Sequence, residues 1–180
     1  MLVPNSNLEQ IFSNAVATAK QYKHEYVTIE HMMFAMLKDP GFIEFLQDFG
    51  IKVELMGKDV ARYLETELDS IKTKAEVTTP KKTAGLERVF NRCFTSVLFL
   101  GKDEIEPIDI FLSMFSEDKS FVAFLMKKYK LNKLFAGVAD KNLGSKKVLE
   151  KNNFKLEGIR KKHLFINNKF YNQLDYGLLL

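Results

Sequence analysis

With 180 residues, 46% of them hydrophobic, the chain is long and apolar enough to fold around a core with a small appendage, which argues against disorder. Its one cysteine, Cys93, excludes an internal disulfide and fits a reducing compartment. The net charge of +4 is held unevenly: residues 1–136 carry 18 Lys/Arg against 19 Asp/Glu, whereas residues 137–180 carry 9 against 4, so the excess belongs to the tail and reads as a solvated surface rather than a nucleic-acid site.

No apolar run approaches the roughly 18 residues of a membrane span. Met1-Leu2-Val3-Pro4-Asn5 also lacks the charged and apolar regions of a signal peptide, so the expectation is a soluble, cytoplasmic protein with no membrane partner. Asn5-Ser6-Asn7 offers side-chain oxygens for a helix N-cap, and from Leu8 apolar residues recur at three- and four-residue steps through Ala19, which predicts an amphipathic helix. Thr28 restarts the chain as a new N-cap for a buried helix containing Ile29, Met32, Met33, Met36 and Leu37, ended by Lys38-Asp39-Pro40-Gly41. A short third helix runs from Phe42 to Phe49 and stops at Gly50, and Leu55 to Leu68 supplies a fourth.

The pattern then repeats. Leu8-Glu9-Gln10-Ile11-Phe12 lines up with Leu86-Glu87-Arg88-Val89-Phe90, and at the same 78-residue offset Val27-Thr28-Ile29 meets Ile105-Glu106-Pro107. With small slips, Phe42 to Leu46 matches Phe121 to Leu125, and Phe49-Gly50-Ile51 matches Tyr129-Lys130-Leu131. The predicted fold class is therefore mainly α, a tandem repeat of two four-helix units over residues 1–137, packed about a pseudo-twofold axis and joined by an exposed loop at 70–85. Cys93 aligns with Ala15 and is expected to be a buried helix residue.

Residues 138–180 read as a small α/β tail. Asn142 to Phe154 is a short helix; Lys155 to Ile159 and His163 to Ile166, the turn Asn167-Asn168-Lys169, and Phe170 to Leu179 form a β-hairpin. The basic cluster Arg160-Lys161-Lys162-His163 is expected on its solvated face, with the aromatics Phe165, Phe170 and Tyr171 turned inward and open strand edges able to pair with another chain.

His24 and His31 are the obvious candidates for a metal or acid–base site. They stand seven apart across a turn and lack the one-turn His-x-x-x-His spacing, so structural roles are favoured and no metal is expected.

His24-Glu25-Tyr26-Val27-Thr28-Ile29-Glu30-His31 before an apolar helix, the double repeat, the linker and Leu86-Glu87-Arg88-Val89-Phe90 together resemble the amino-terminal domain of Clp-family AAA+ unfoldases, of the ClpA type, over residues 1–137. The resemblance implies a non-catalytic docking module for a ClpS-type adaptor or a substrate of a Clp protease system. It makes Glu25, Glu30, Thr83 and Arg88 the candidate contacts. No Gly-x-x-x-x-Gly-Lys-Ser/Thr string occurs in these 180 residues, so the chain is read as lacking ATPase activity of its own. Asn142 to Gly158, with Ser145, Glu150-Lys151-Asn152-Asn153-Phe154 and Glu157-Gly158, is similar to the C-terminal segment of GNAT-type acetyltransferases, with Asn153 where that family has glycine. That likeness makes Asn142 and Ser145 acetyl-CoA-side positions if a partner supplied the missing half. Neither a glycine-rich cofactor turn nor central strands are read upstream of Asn142, so no enzyme activity and no cofactor are expected. The alternatives are a structural protein whose tail attaches to neighbouring subunits and an acetyltransferase fragment.

Overall fold

The computed structural model describes residues 3–75, 77–129 and 133–179. The first unit runs β1 (Val3–Pro4), α1 (Ser6–Gln21), β2 (Tyr26–Val27), α2 (Ile29–Met36), α3 (Pro40–Asp48) and α4 (Val53–Thr66), and a 3₁₀ turn at Asp69–Ile71 follows. The second unit runs β3 (Lys81–Lys82), α5 (Ala84–Leu100), β4 (Glu104–Ile105), α6 (Pro107–Met114) and α7 (Phe121–Lys128).

Local sequence explains the helix starts. Asn5, Thr28, Asp39, Thr83 and Ser120 each accept an amide of the first helical turn on a side-chain oxygen, satisfying a donor with no helical partner. Proline stands within the first two positions of α3 and α6, where its missing N–H costs nothing. Gly101 ends α5 in the left-handed region at φ 68°.

The predicted pseudo-twofold is present in the packing. Leu8, Ile11, Ala15 and Ala19 form the buried face of α1, and the residues 78 positions on, Leu86, Val89, Cys93 and Val97, form that of α5. Met32, Met33 and Met36 of α2 correspond in the same way to Ile110, Phe111 and Met114 of α6, all fully buried. Each such side chain contributes about 1.5–3 kcal/mol by leaving water. Phe12 packs edge-on against Phe90, its own counterpart, with ring centroids 5.7 Å apart, as a residue on the axis must. The short strands exchange between units: β1 pairs in parallel with β4 and β2 with β3, registering Val3 with Glu104 and Tyr26 with Lys81. Exchanging the units, that is moving the first-unit strand of either pair forward by 78 residues and its partner back by 78, reproduces the other pair.

The inter-repeat segment is more ordered than an open loop. It contains the 3₁₀ turn, an isolated bridge from Lys72 to His24, the buried Pro80 and β3, and α5 has begun by Gly85. The second unit also differs from the first after its third helix. Where α4 follows α3, the chain after α7 enters a strand, β5 (Lys133–Ala139), because Leu134, Ala136 and Val138 alternate with Phe135 and Gly137 and bury one side only. Lys130 and Leu131, matched above to Gly50 and Ile51, lie outside the described residues.

β5 is followed by α8 (Leu143–Lys151), β6 (Lys155–Ile166) and β7 (Lys169–Leu179), and the antiparallel sheet has the order β5-β7-β6. A boundary after residue 137 thus falls inside a strand of the tail's sheet. Asn167 and Asn168, at φ 50° and 59°, make the tight hairpin turn that asparagine tolerates. Leu134, Val138, Phe154, Leu174 and Tyr176 form a second core, and Phe115 of the helical part packs against both cores. Asn152 Nδ2 donates to Ser96 Oγ at 3.3 Å and Lys151 Nζ lies 4.7 Å from the Phe99 ring centre, so the tail packs on α5. The expectation of inward aromatics fails for Phe165 and Phe170, which are exposed and pack on each other 4.8 Å apart; β7's inward positions are taken by Leu174 and Tyr176. Among the described residues, no helix is long and apolar enough to cross a membrane.

Candidate functional site

The four proposed contact residues separate into two environments. Glu25 is exposed at the start of the β2–β3 ladder; its N–H donates to the Ile71 carbonyl and its carbonyl accepts from Lys81 N–H, both at 2.9 Å, leaving the carboxylate to solvent. Thr83 follows β3 on the same ladder, where its N–H donates to the Val27 carbonyl at 3.1 Å and its hydroxyl caps α5. Arg88, one turn further, is exposed and holds Glu117 through two nitrogens, at 2.6 and 3.2 Å. Those bonds hold the Glu117 carboxyl below its ordinary range. Beside Glu25 a shallow groove of about 290 Å³ is lined by Tyr26, Thr73, Val77, Thr79 and Lys81.

Glu30 is different. It is buried, and its Oε1 accepts from the Phe121 N–H at 3.1 Å, satisfying an open amide at the start of α7. The expectation of a surface acceptor for an adaptor's lysine is corrected here: the carboxylate is an internal joint between the units.

His24 and His31 meet in the core, with His24 Nδ1 3.0 Å from His31 Nε2 and neither ring exposed. Thr28 N–H donates to His31 Nδ1 at 3.1 Å, so that nitrogen is unprotonated and the ring proton sits on Nε2, donated to His24 Nδ1. His24 in turn carries its proton on Nε2, which is buried with no partner among the described residues. Burial, then the neighbouring His24, pushes His31 down to about 3; burial, then Lys72, lowers His24 as well. Both rings are neutral. Among the described residues no group of three His, Cys, Asp or Glu is placed to hold a metal. Cys93 is fully buried, and burial followed by the Asp109 charge pushes its thiol up to about 12, which removes the thiolate needed for nucleophilic chemistry.

Asn142 and Ser145 are brought together, but by the helix itself: Asn142 Oδ1 accepts the Ser145 N–H at 3.0 Å. Gly144 sits so close to α5 that a Cβ there would lie 2.7 Å from the Phe99 carbonyl oxygen. At Gly144 the start of α8 is closed against α5 and leaves no room for a pyrophosphate, whereas Asn142 and Ser145 line an apolar groove between the helical units and the tail.

Sequence reasoning missed this larger feature, a groove of about 690 Å³. Phe45 of α3 and Phe49 just after it, Leu100 of α5 and Leu112 of α6 form one side; β5, Val148 of α8 and Ile166 of β6 form the other. The alternation across Lys133–Ala139 was the signal that could have disclosed β5.

Comparison with known proteins defines first the class and then the family. The N-terminal domain of Hsp104 from Candida albicans shares the fold at a TM-score of 0.63 with 11% identity, covering 82% of this chain and 90% of that one. A ClpV N-domain, solved in complex with a VipB peptide, does so at 0.55 with 19% identity, covering 71% and 79%. The sequence profile of the Clp repeat (R) N-terminal domain matches residues 4–129, and the chain belongs to that family. A ClpA homolog protein from Fuscovulum blasticum is 25% identical over 124 residues, which is 69% of this chain and 16% of that protein. The acetyltransferase (GNAT) domain profile matches residues 96–174, overlapping the first match.

Proposed function

We propose that the chain is a non-catalytic docking module that captures a protein adaptor or substrate of a Clp protease system at the β2–β3 junction. The observation that carries the reading is the return of the inter-repeat segment onto the first unit, which sets Glu25 and Thr83 on one ladder with Arg88 just beyond. Glu25 presents to a cationic partner an exposed carboxylate with no ion pair among the described residues, and the adjoining groove receives a side chain. The ClpV N-domain seen with a VipB peptide supports peptide capture by this fold.

Purified protein should retain a ClpS-type adaptor in a pull-down, and Glu25→Ala or Arg88→Ala should weaken retention about ten-fold, the loss of one well-placed contact. No retention by the wild type, with no change in Glu25→Ala, sinks the proposal. Glu30→Ala and Thr83→Ala are expected to act on stability, since both side chains hold helix amides.

The GNAT match favours a second reading, acetyl-CoA binding by the tail. Calorimetry with acetyl-CoA at millimolar concentration decides it: the close packing of Gly144 on α5 predicts no heat, and a saturable signal would revive the acetyltransferase.

A further inference from the structure

In the order β5-β7-β6 both outer strands have an edge unpaired among the described residues, and the two edges differ in chemistry. β6 carries Arg160, Lys161, Lys162 and His163 in succession, all exposed; its register breaks between Arg160 and Leu164, and Lys162 lies at φ 50°. A basic, bulged edge repels a copy of itself. β5 has a single charge over seven residues, Lys133, and its Nζ is already 2.7 Å from Glu157 Oε2.

The direction of β5's free groups follows from the ladder. Asp140 N–H donates to the Asn172 carbonyl at 3.0 Å, and in the same alternation Val138, Ala136 and Leu134 turn their backbone groups toward Leu174, Tyr176 and Leu178 of β7. Lys133, Phe135 and Gly137 turn theirs the opposite way. Among the described residues β7 is the one strand paired with β5, and Phe135 beside the open edge is 72% exposed.

We propose that β5 is the contact by which two copies of this chain associate, pairing antiparallel about Ala136 into a continuous six-stranded sheet. In that register Phe135 stands across from Gly137 of the second copy, Lys133 across from Ala139, and Leu134 across from Val138 on the side the tail's core already buries. Bulky residues meet small ones and no like charges face each other, whereas the same operation on β6 stacks four basic residues on four. The outward N–H and C=O groups of Phe135 and Gly137 then bond across the axis. This inference rests on the tail's sheet and is independent of adaptor capture.

Sedimentation or light-scattering mass across about 5–200 μM tests it on the full chain. The expected result is a mass twice the monomer's 20.8 kDa at the upper end. Phe135→Pro deletes an outward N–H and spares the bonds to β7, so it should raise the dissociation constant at least about ten-fold with an unchanged circular-dichroism spectrum. Should that variant unfold, Phe135→Lys decides, because it keeps the N–H and brings a second cation beside Lys133. Lys162→Glu on β6 should leave the dimer intact. A wild type that stays monomeric throughout overturns the proposal, as does a dimer that survives both Phe135 variants. A monomer that instead binds a synthetic peptide of residues 133–139 also overturns it and makes the edge a peptide site.

Discussion

His24 and His31 of the first unit occupy the positions that Lys102 and Asp109 occupy in the second, 78 residues on. In both, the later residue accepts the backbone N–H of the helix cap: Thr28 to His31 Nδ1 at 3.1 Å, Glu106 to Asp109 Oδ2 at 2.9 Å. In both, the earlier residue reaches across the turn to it, His24 to His31 at 3.0 Å and Lys102 Nζ to Asp109 Oδ2 at 3.0 Å. The turn thus requires an acceptor at the capping amide and a side chain bridging to it, and leaves the chemistry of the pair open. Burial selects the chemistry. Both histidines are sealed from water and stay neutral, while the Lys102 side chain is 37% exposed and keeps its charge hydrated.

The largest effect should come from His31→Ala. It opens a cavity, orphans His24 Nδ1 and removes the acceptor of the Thr28 amide, for a loss of about 3–4 kcal/mol in denaturant unfolding. A loss under about 1 kcal/mol would mean that the histidine pair is incidental to the turn. Acid should expose the same asymmetry. An unfolded imidazole protonates near 6.5 and folded His31 only near 3, so between those values the unfolded state binds more protons and stability falls as pH falls. The slope is about 1.4 kcal/mol per pH unit for that one group, read from thermal melts between pH 7 and 4.5 and flattened in His31→Gln.

The second unit responds on the alkaline side and to salt. Burial works to lower the Lys102 pKa, but hydrogen bonds to Glu106 and Asp109 outweigh it, so the net direction is upward. Its contribution is complete below 10.5 and is lost as pH rises through the folded value. Lys102→Met should cost about 1 kcal/mol at low ionic strength and less in 1 M salt, whereas the His31→Ala loss should not depend on salt. An effect of the same small size belongs to Cys93→Ala, which copies Ala15 of the other unit. About 1 kcal/mol is expected, together with a native thiol that a disulfide reagent does not modify until the protein unfolds.

Several features were legible because they are local in the chain. The caps at Asn5 and Thr28, the three- and four-residue apolar steps and the repeat offset all concern neighbouring residues or two copies of one pattern, and together they define the double helical unit. The site was less legible. Glu25 and Glu30 look alike in the sequence, yet one faces water and the other holds an amide 91 residues away. Helix periodicity assigns Glu30 to α2 but does not say that the start of α7 will arrive there.

The amino-acid sequence by itself determined the repeat, its capping chemistry, the buried faces of α1, α2 and α5, and the hairpin turn at Asn167-Asn168, because backbone propensity and apolar spacing act over a few residues. Tertiary structure decided which histidine nitrogen holds the proton, that the strands exchange between units, and that the second unit gives way to β5. It also decided that the tail packs on α5 and leaves Phe135 at an open edge. Each of those depends on long-range burial and hydrogen-bond satisfaction, which are properties of the folded arrangement rather than of any window of sequence.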